Sequence, residues 1–141
     1  MRRVFIVHGH DHIALYRLKD WLNGLGVKPV VLWDEPNAGL TVIEKFERHA
    51  SQSEFAVALL TPDDKQAQDL CARDKKRARQ NVILEVGWFM AKLGRNNVIL
   101  VHKGDVELPS DILGIIFLEF KESITEVFDA IRAELTNQGI V

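Results

Sequence analysis

Strand-like and helix-like segments alternate along the whole 141-residue chain, and this alternation is the feature that constrains its fold most strongly. Each predicted strand is a short apolar run, and the segments between strands space their apolar residues as helices do. The five predicted strands are Val4–Val7, Val30–Trp33, Phe55–Leu60, Val98–Val101 and Ile115–Phe120. The alternation predicts an α/β fold of the flavodoxin-like kind, with a five-stranded, mostly parallel sheet and helices on both faces.

Four helices are predicted, and three of them begin at capping residues. These residues are Asp11, the T-x-x-E pair Thr41 and Glu44, and the S-x-x-E pair Ser123 and Glu126. Val42, Ile43 and Phe46 are expected to form the inner face of the second helix. The third helix lies within residues 77–93 and ends ahead of Gly94.

Length and composition predict one domain over residues 1–141 and exclude several functional classes. The 18 basic and 20 acidic residues give a net charge of −2, so no positive excess predicts binding to nucleic acid or to an anionic membrane. Cys71 is the single cysteine, which rules out an internal disulfide. The chain has no secretory signal at its start and no run near the roughly 20 apolar residues that span a bilayer. We therefore predict a cytoplasmic protein.

The loops that follow the strands are expected to gather at one edge of the sheet, where ligands bind in folds of this kind. The first of these loops, HGHDH at 8–12, has spacing close to that of metal ligands, but it is one residue shorter than the H-x-H-x-D-H motif of metallo-hydrolases. We predict no metal there. Either Gly9 forms a turn and Asp11 caps a helix, or backbone amides, His10 and Asp11 bind a polar ligand.

The segment RARQNVILEVGWFMAKLGR at 77–95 carries a carboxylate inside an apolar helix. Asn81, Glu85, Trp88 and Lys92 form one stripe at helical spacing. The stripe is either the solvated face of a core helix or the lining of a groove, because a helix this apolar leaves little face for open water. In a groove, with an aromatic neighbour and no basic partner, the Glu85 pKa is expected to be raised.

Nucleotide-binding fingerprints of the common kinds do not occur in the chain. It contains neither G-x-G-x-x-G after the first strand nor the P-loop motif. The acidic pair of a phosphoacceptor receiver domain is also missing, because His8 and Gly9 stand at its place. A nucleotide, if bound, is held in another way.

Five blocks of sequence resemble one family, in the same order. They are VFIVHGHD (4–11), PNAGLTVIEKFE (36–47), FAVALLTPDD (55–64), RARQNVILEVGWFMAKLGR (77–95) and LPSDILG (108–114). Over nearly its whole length the chain is similar to the bacterial TIR-like predicted nucleotide-binding domain. This Toll/interleukin-1-receptor-like module occurs in antiphage effectors, often joined to a STING-like or other cyclic-nucleotide sensor. The resemblance implies a TIR fold of the flavodoxin-like type.

The resemblance also implies an activity, which is cleavage of NAD+ to nicotinamide and an ADP-ribose product. NAD+ is the consumed substrate, and no further cofactor is required. The catalytic glutamate of the N-V-x-x-E-x-G pattern corresponds to Glu85. The residues implied to border the substrate are Phe5, His8, Gly9, His10, Asp11, Arg79, Asn81 and Asp111. Trp88 is a candidate for packing against a ring of the substrate. Trp33 is a further candidate for packing against a substrate ring.

The segment 34–40 corresponds to the mobile loop that TIR domains use for assembly and site closure. Leu40 departs from the family, which often has a basic residue there, so no phosphate contact is carried over to this position. Since such enzymes usually complete their sites across subunits, we expect a homo-oligomer. We also expect a cyclic-nucleotide sensor, fused or separate, because none fits within these residues.

Two other functions compatible with the resemblance remain open. Many TIR domains are non-catalytic scaffolds, and a nucleoside deoxyribosyltransferase-like enzyme uses a glutamate in a related fold. NAD+ consumption by clustered protein distinguishes an NAD+ glycohydrolase from a scaffold. Incubation with deoxynucleosides distinguishes it from a deoxyribosyltransferase-like enzyme by the product formed.

Overall fold

Five parallel strands form the central sheet of the protein, whose structure is a computed structural model describing residues 1–61, 76–77, 80–104, 106–107 and 114–141. The strands are β1 Arg3–Val7, β2 Lys28–Val30, β3 Phe55–Leu60, β5 Val98–Lys103 and β7 Ile116–Phe120. Their order is β2-β1-β3-β5-β7, and every neighbouring pair is parallel. Two short strands, β4 Lys76–Arg77 and β6 Val106–Glu107, pair separately. The predicted flavodoxin-like α/β fold is confirmed.

Four α-helices accompany the sheet in the described part of the chain. They are α1 His12–Gly24, α2 Val42–Ser51, α3 Gln80–Leu93 and α4 Phe128–Asn137. The predicted caps are present: Asp11 accepts from the Ala14 amide at 3.1 Å, and Thr41 and Glu44 form a reciprocal capping box. The Ser123–Glu126 box opens a short 3₁₀ turn, Ile124–Val127, that precedes α4. No helix among the described residues is both long enough and apolar enough to cross a membrane.

Two apolar cores cover the two faces of the sheet. Side chains alternate along each strand, so Val4 and Ile6 of β1 face one core while Phe5 and Val7 face the other. Helices α1 and α4 close the first core, and α2 and α3 close the second. Phe5 meets Phe46 of α2 and Phe89 of α3 with ring centroids 5.6 and 5.0 Å apart. This packing fixes α2 and α3 beside the end of β1.

The second strand differs from its prediction. Residues 30–33 were expected to be extended, but β2 ends at Val30 and a 3₁₀ turn follows at Leu32–Asp34. The amides of Asp34 and Glu35 donate to the carbonyls of Val31 and Leu32, both at 3.1 Å. These local bonds replace pairing with a neighbouring strand. As a result, Trp33 leaves the sheet and is 46% exposed.

The inner face of α2 also differs from its prediction. Phe46 is buried, but Val42 is 80% and Ile43 59% exposed. Leu84 of α3, one of the apolar positions of its helix, is 69% exposed. The side of α2 that the core covers holds Lys45, Phe46 and Ala50, because the helix is anchored by Phe46 against the rings of Phe5 and Phe89. Periodicity alone could not place the first turn of this short helix.

Candidate functional site

A cavity of about 330 Å³ opens beside the carboxyl end of β1. After β1 the chain continues to β2 on one side, and after β3 it continues within the sheet to β5 on the other side, so the connections diverge at this point. Such a switch point is where ligands bind in open α/β sheets. The cavity is lined by residues from β1 and the loop after it, from the segment between β2 and α2, and from α2 and α3. They are Phe5, Ile6, His8, Leu32, Trp33, Asn37, Leu40, Val42, Lys45 and Glu85.

Glu85 projects from α3 into this cavity. Burial raises the pKa of Glu85 from its ordinary value of 4.5 to about 7, since loss of water disfavours the charged form. Among the residues that the structure describes, no basic side chain and no hydrogen-bond donor offsets that cost. The side chain lines a cavity and is not turned to open water, and the rise in pKa agrees with its prediction.

A second cavity, of about 650 Å³, lies on the other side of Glu85 between α2 and α3. Its lining is mostly apolar and comprises Leu32, Val42, Ile43, Phe46, Glu47, Ile83, Leu84, Glu85, Gly87 and Trp88. Trp88 is partly buried and meets Phe46 and Phe89 edge to face, at 5.3 and 5.2 Å. Glu85, Leu32 and Val42 line both cavities. The carboxylate therefore stands between a compartment of mixed polar and apolar lining and a mostly apolar one.

Trp33 forms an aromatic cluster with the first loop. Its ring centroid lies 4.5 Å from that of His8 and 4.8 Å from that of His12. His8 is further oriented by its Nδ1, which is 3.0 Å from the Gly9 carbonyl oxygen. The early end of β2 and the 3₁₀ turn after it make this contact possible. Trp33 and His8 of this cluster form one wall of the smaller cavity.

The remaining HGHDH residues have roles outside the two cavities. One oxygen of Asp11 caps α1, and the other is 4.0 Å from Nζ of Lys103. Gly9 is partly buried beside Thr61, and His10 is exposed. None of these residues lines either cavity described above. Within the described ranges, no group of three or more His, Cys, Asp and Glu side chains is placed to hold a metal ion.

Lys45 is a site residue that sequence reasoning missed. It is only 8% exposed, it lines the smaller cavity, and its Nζ donates to Oδ1 of Asn37 at 3.0 Å. Helical spacing gave no signal for it, because Phe46 precedes Ala50 by four residues and shares its side of the helix, whereas Lys45 precedes Ala50 by five. A buried lysine is rare enough to mark a site.

The structure brings some of the predicted site residues together and separates others. Phe5, His8 and Glu85 surround the smaller cavity, and Trp88 lines the adjoining one. Gly9, His10 and Asp11 stand beside the site without lining these cavities. Arg79 and Asp111 lie outside the described residues, as does the side chain of Asn81. The substrate-binding roles of all these residues remain predictions.

Comparison with known proteins identifies a family whose sequences resemble this chain. A family model described as the TIR domain of CAP12/Pycsar effector proteins matches residues 3–122. The match agrees with the resemblance that the five sequence blocks indicated. It includes Glu85, Lys45 and every described residue that lines the two cavities.

Relatives from very different organisms share the domain. YuaY of Escherichia coli K12 is 41% identical over 121 residues, which are 86% of this chain and 40% of YuaY. TirC of Dictyostelium discoideum is 34% identical over 146 residues, covering 92% of this chain and 70% of tirC. The chain thus spans two fifths of the length of YuaY. The SEFIR domain of interleukin-17 receptor B has the same fold, with a TM-score of 0.62 at 16% identity over 96% of this chain and 95% of that one.

Proposed function

The chain belongs to the TIR domain family of CAP12/Pycsar effector proteins, and from that premise we propose that it is an NAD+ glycohydrolase serving as a cytoplasmic effector in antiphage defence. It would cleave NAD+ into nicotinamide and an ADP-ribose product. The observation that carries the proposal is Glu85, a carboxyl with a pKa of about 7 in the wall shared by two cavities. A perturbed acid in a cleft is a common mark of a catalytic group.

The two cavities suit the two ends of the scissile bond. The smaller cavity holds polar groups from Lys45, Asn37 and His8, which suit ribose and phosphate. The larger cavity is apolar and contains the indole of Trp88, which suits a planar ring such as nicotinamide. Glu85 faces both, as a group acting on the nicotinamide–ribose bond must. This division supports the proposal, and we propose that nicotinamide lies towards Trp88 and the ribose and phosphates lie in the smaller cavity.

The chemistry follows from the charge that develops during bond cleavage. The C–N bond breaks and its electron pair leaves with nicotinamide, which departs neutral, so no strong general acid is needed. The ribose carbon becomes oxocarbenium-like, and the Glu85 carboxylate stabilises that positive charge in a site with little water. A water molecule then adds to the carbon and gives up a proton, which a carboxylate with a pKa near 7 is suited to accept.

NAD+ itself promotes the active form of Glu85. In the free site, a pKa of about 7 leaves the carboxyl partly protonated at neutral pH. The pyridinium ring of NAD+ carries a positive charge, and a positive charge within a few ångströms favours the carboxylate. The same buried carboxyl that is costly in the free protein therefore becomes a binding group for the cationic end of the substrate.

Turnover of NAD+ at increasing protein concentration is the direct test. Release of nicotinamide should rise more steeply than the concentration, since we propose activation by association of TIR domains. Glu85→Gln should abolish release, and Glu119→Gln, which changes an exposed glutamate on the edge strand β7, should leave it unchanged. Full turnover by folded Glu85→Gln would remove Glu85 from the mechanism.

A scaffold function is the second candidate, and the exposed apolar side chains favour it. Val42, Ile43 and Leu84 are exposed beside the larger cavity, as expected for a surface that binds another protein or a second copy of this domain. A scaffold alone would consume no NAD+ even when artificially clustered. For both the hydrolase and the scaffold, we propose activation by a cyclic-nucleotide sensor that is either fused or separate.

A further inference from the structure

We propose that Lys45 is a phosphate-binding residue of the cleft and that Asn37 positions it. The inference rests on the proposed function for the identity of the ligand, a nucleotide diphosphate, but not for the presence of an anion site. Lys45 combines three properties that seldom occur together. It is charged, it is more than nine-tenths buried, and it lines a cavity large enough for a ligand.

The hydrogen bonding of Lys45 leaves donors for a ligand. An ammonium group has three N–H donors, and one of them is directed to Oδ1 of Asn37 at 3.0 Å. The ion pairs among the described residues do not include Lys45. An amide oxygen satisfies one donor but does not neutralise the charge, and a buried charge without a counter-ion is costly. A bound anion would remove that cost.

The loop around Asn37 is built to hold this amide in place. The Leu40 amide donates to the Asn37 carbonyl at 2.8 Å, closing a turn. Within the turn, Ala38 has φ of 51° and Gly39 has φ of 76°, both in the left-handed region. A non-glycine residue rarely adopts that conformation, so other contacts must hold it. The side-chain bond from Lys45 is one such contact, and it connects the loop to α2.

The segment 34–40 adds no second cationic side chain to this cavity. Leu40 lines the same cavity and carries no charge. Glu85 lines it as well, but burial keeps the Glu85 carboxyl partly neutral, so it does not simply cancel Lys45. The result is a cavity in which an anion would contact Lys45 while the cationic end of the same molecule lies near Glu85. NAD+ has that distribution of charge.

Binding of ADP-ribose, measured by isothermal titration calorimetry, tests the inference without requiring catalysis. Lys45→Met should weaken ADP-ribose at least about tenfold, the loss expected for one charge-assisted hydrogen bond. It should not change the binding of adenosine, which has no phosphate. Inorganic pyrophosphate should compete with ADP-ribose on the natural chain but not on Lys45→Met. Unchanged ADP-ribose affinity in a folded Lys45→Met protein would overturn the inference.

A second variant tests the same site without replacing the buried residue Lys45. Asn37→Asp is isosteric at an exposed residue and puts a carboxylate against Nζ of Lys45, which should also weaken ADP-ribose about tenfold. Asn96→Asp adds the same charge at an exposed position between α3 and β5 and serves as the control. Equal affinities of Asn37→Asp and Asn96→Asp would contradict the role given to Lys45.

The outcomes separate this inference from the proposed function. If NAD+ is consumed but Lys45→Met binds ADP-ribose as the natural chain does, the enzyme stands and the phosphate site is wrong. If NAD+ is not consumed but ADP-ribose and pyrophosphate bind in a Lys45-dependent way, the phosphate site stands and the hydrolase is wrong. Absence of any binding by the natural chain would overturn the phosphate site.

Discussion

Glu85 and Lys45 line the same cavity from two different helices, α3 and α2. Each is an ionisable group withdrawn from water, and the described residues offer neither of them an oppositely charged partner. Two such groups destabilise a fold that has no ligand. Their shared cavity explains why both groups are buried, because a ligand with a cationic and an anionic end would pair with both.

The stability cost of Glu85 should be measurable. With a pKa of about 7 in the folded state against an ordinary 4.5, the folded protein binds more protons than the unfolded chain between these values, so stability falls as pH rises through them. The full loss, above about pH 7, is about 3 kcal/mol. Glu85→Gln should therefore raise the free energy of unfolding by up to that amount at about pH 8 and have little effect below about pH 4. Urea denaturation at both pH values measures it, and Glu119→Gln should show no such difference. An equal effect of Glu85→Gln at both pH values would contradict a pKa near 7.

NAD+ cleavage should depend on pH through the same group. Because the carboxylate is the active form, kcat/KM should rise with pH and level off above an apparent pKa near 7, the value for the free protein. Bound NAD+ favours the carboxylate, so the rise in kcat should lie at lower pH. Nicotinamide release followed from about pH 5 to about pH 9 measures both profiles. A rate that is level across this range would show that another group controls the reaction.

Gly87 should affect stability and activity in opposite directions. It lies inside α3, and a Cβ added there would meet nothing within 4 Å, so Gly87→Ala fits the fold. The substitution should stabilise the helix by up to about 1 kcal/mol. Gly87 also lines the larger cavity, where the added methyl would hinder the approach of a planar ring and raise KM for NAD+. Thermal unfolding and steady-state kinetics of one variant measure both effects. A higher Tm with unaltered kinetics would place the substrate elsewhere.

The exposed apolar side chains of α2 and α3 should be needed for association. Ile43→Glu and Leu84→Glu should leave the fold intact, because both side chains are exposed, but should prevent association of the domains. Both residues also line the larger cavity, so the readout is the oligomeric state and not NAD+ turnover. Ile13→Glu is the matched control, since Ile13 of α1 is 67% exposed and belongs to neither cavity. Light scattering after size exclusion reports the oligomeric state. Association that survives both charged variants would point to another surface.

Trp33 should contribute to substrate binding more than to the fold. Its ring is 46% exposed and packs on His8 and His12, so Trp33→Ala should lower the free energy of unfolding by only about 1 kcal/mol. KM for NAD+ should rise several-fold, because the ring forms a wall of the smaller cavity. Tyr16→Ala is the control, since Tyr16 also contacts His12 but does not line that cavity. Equal effects of the two substitutions on KM would argue against a wall formed by Trp33.

The sequence by itself determined what depends on neighbouring residues along the chain. Alternating apolar runs specified a parallel sheet with helices on both faces, the caps at Asp11 and Thr41 specified helix starts, and an apolar helix with one carboxylate indicated Glu85. Only the tertiary structure decided how those elements meet. The packing of Trp33 on His8, the exposure of Ile43 and the burial of Lys45 depend on contacts between segments far apart in sequence. The raised pKa of Glu85 depends on both the sequence and the tertiary structure, because the sequence supplies the carboxyl and only packing removes its water.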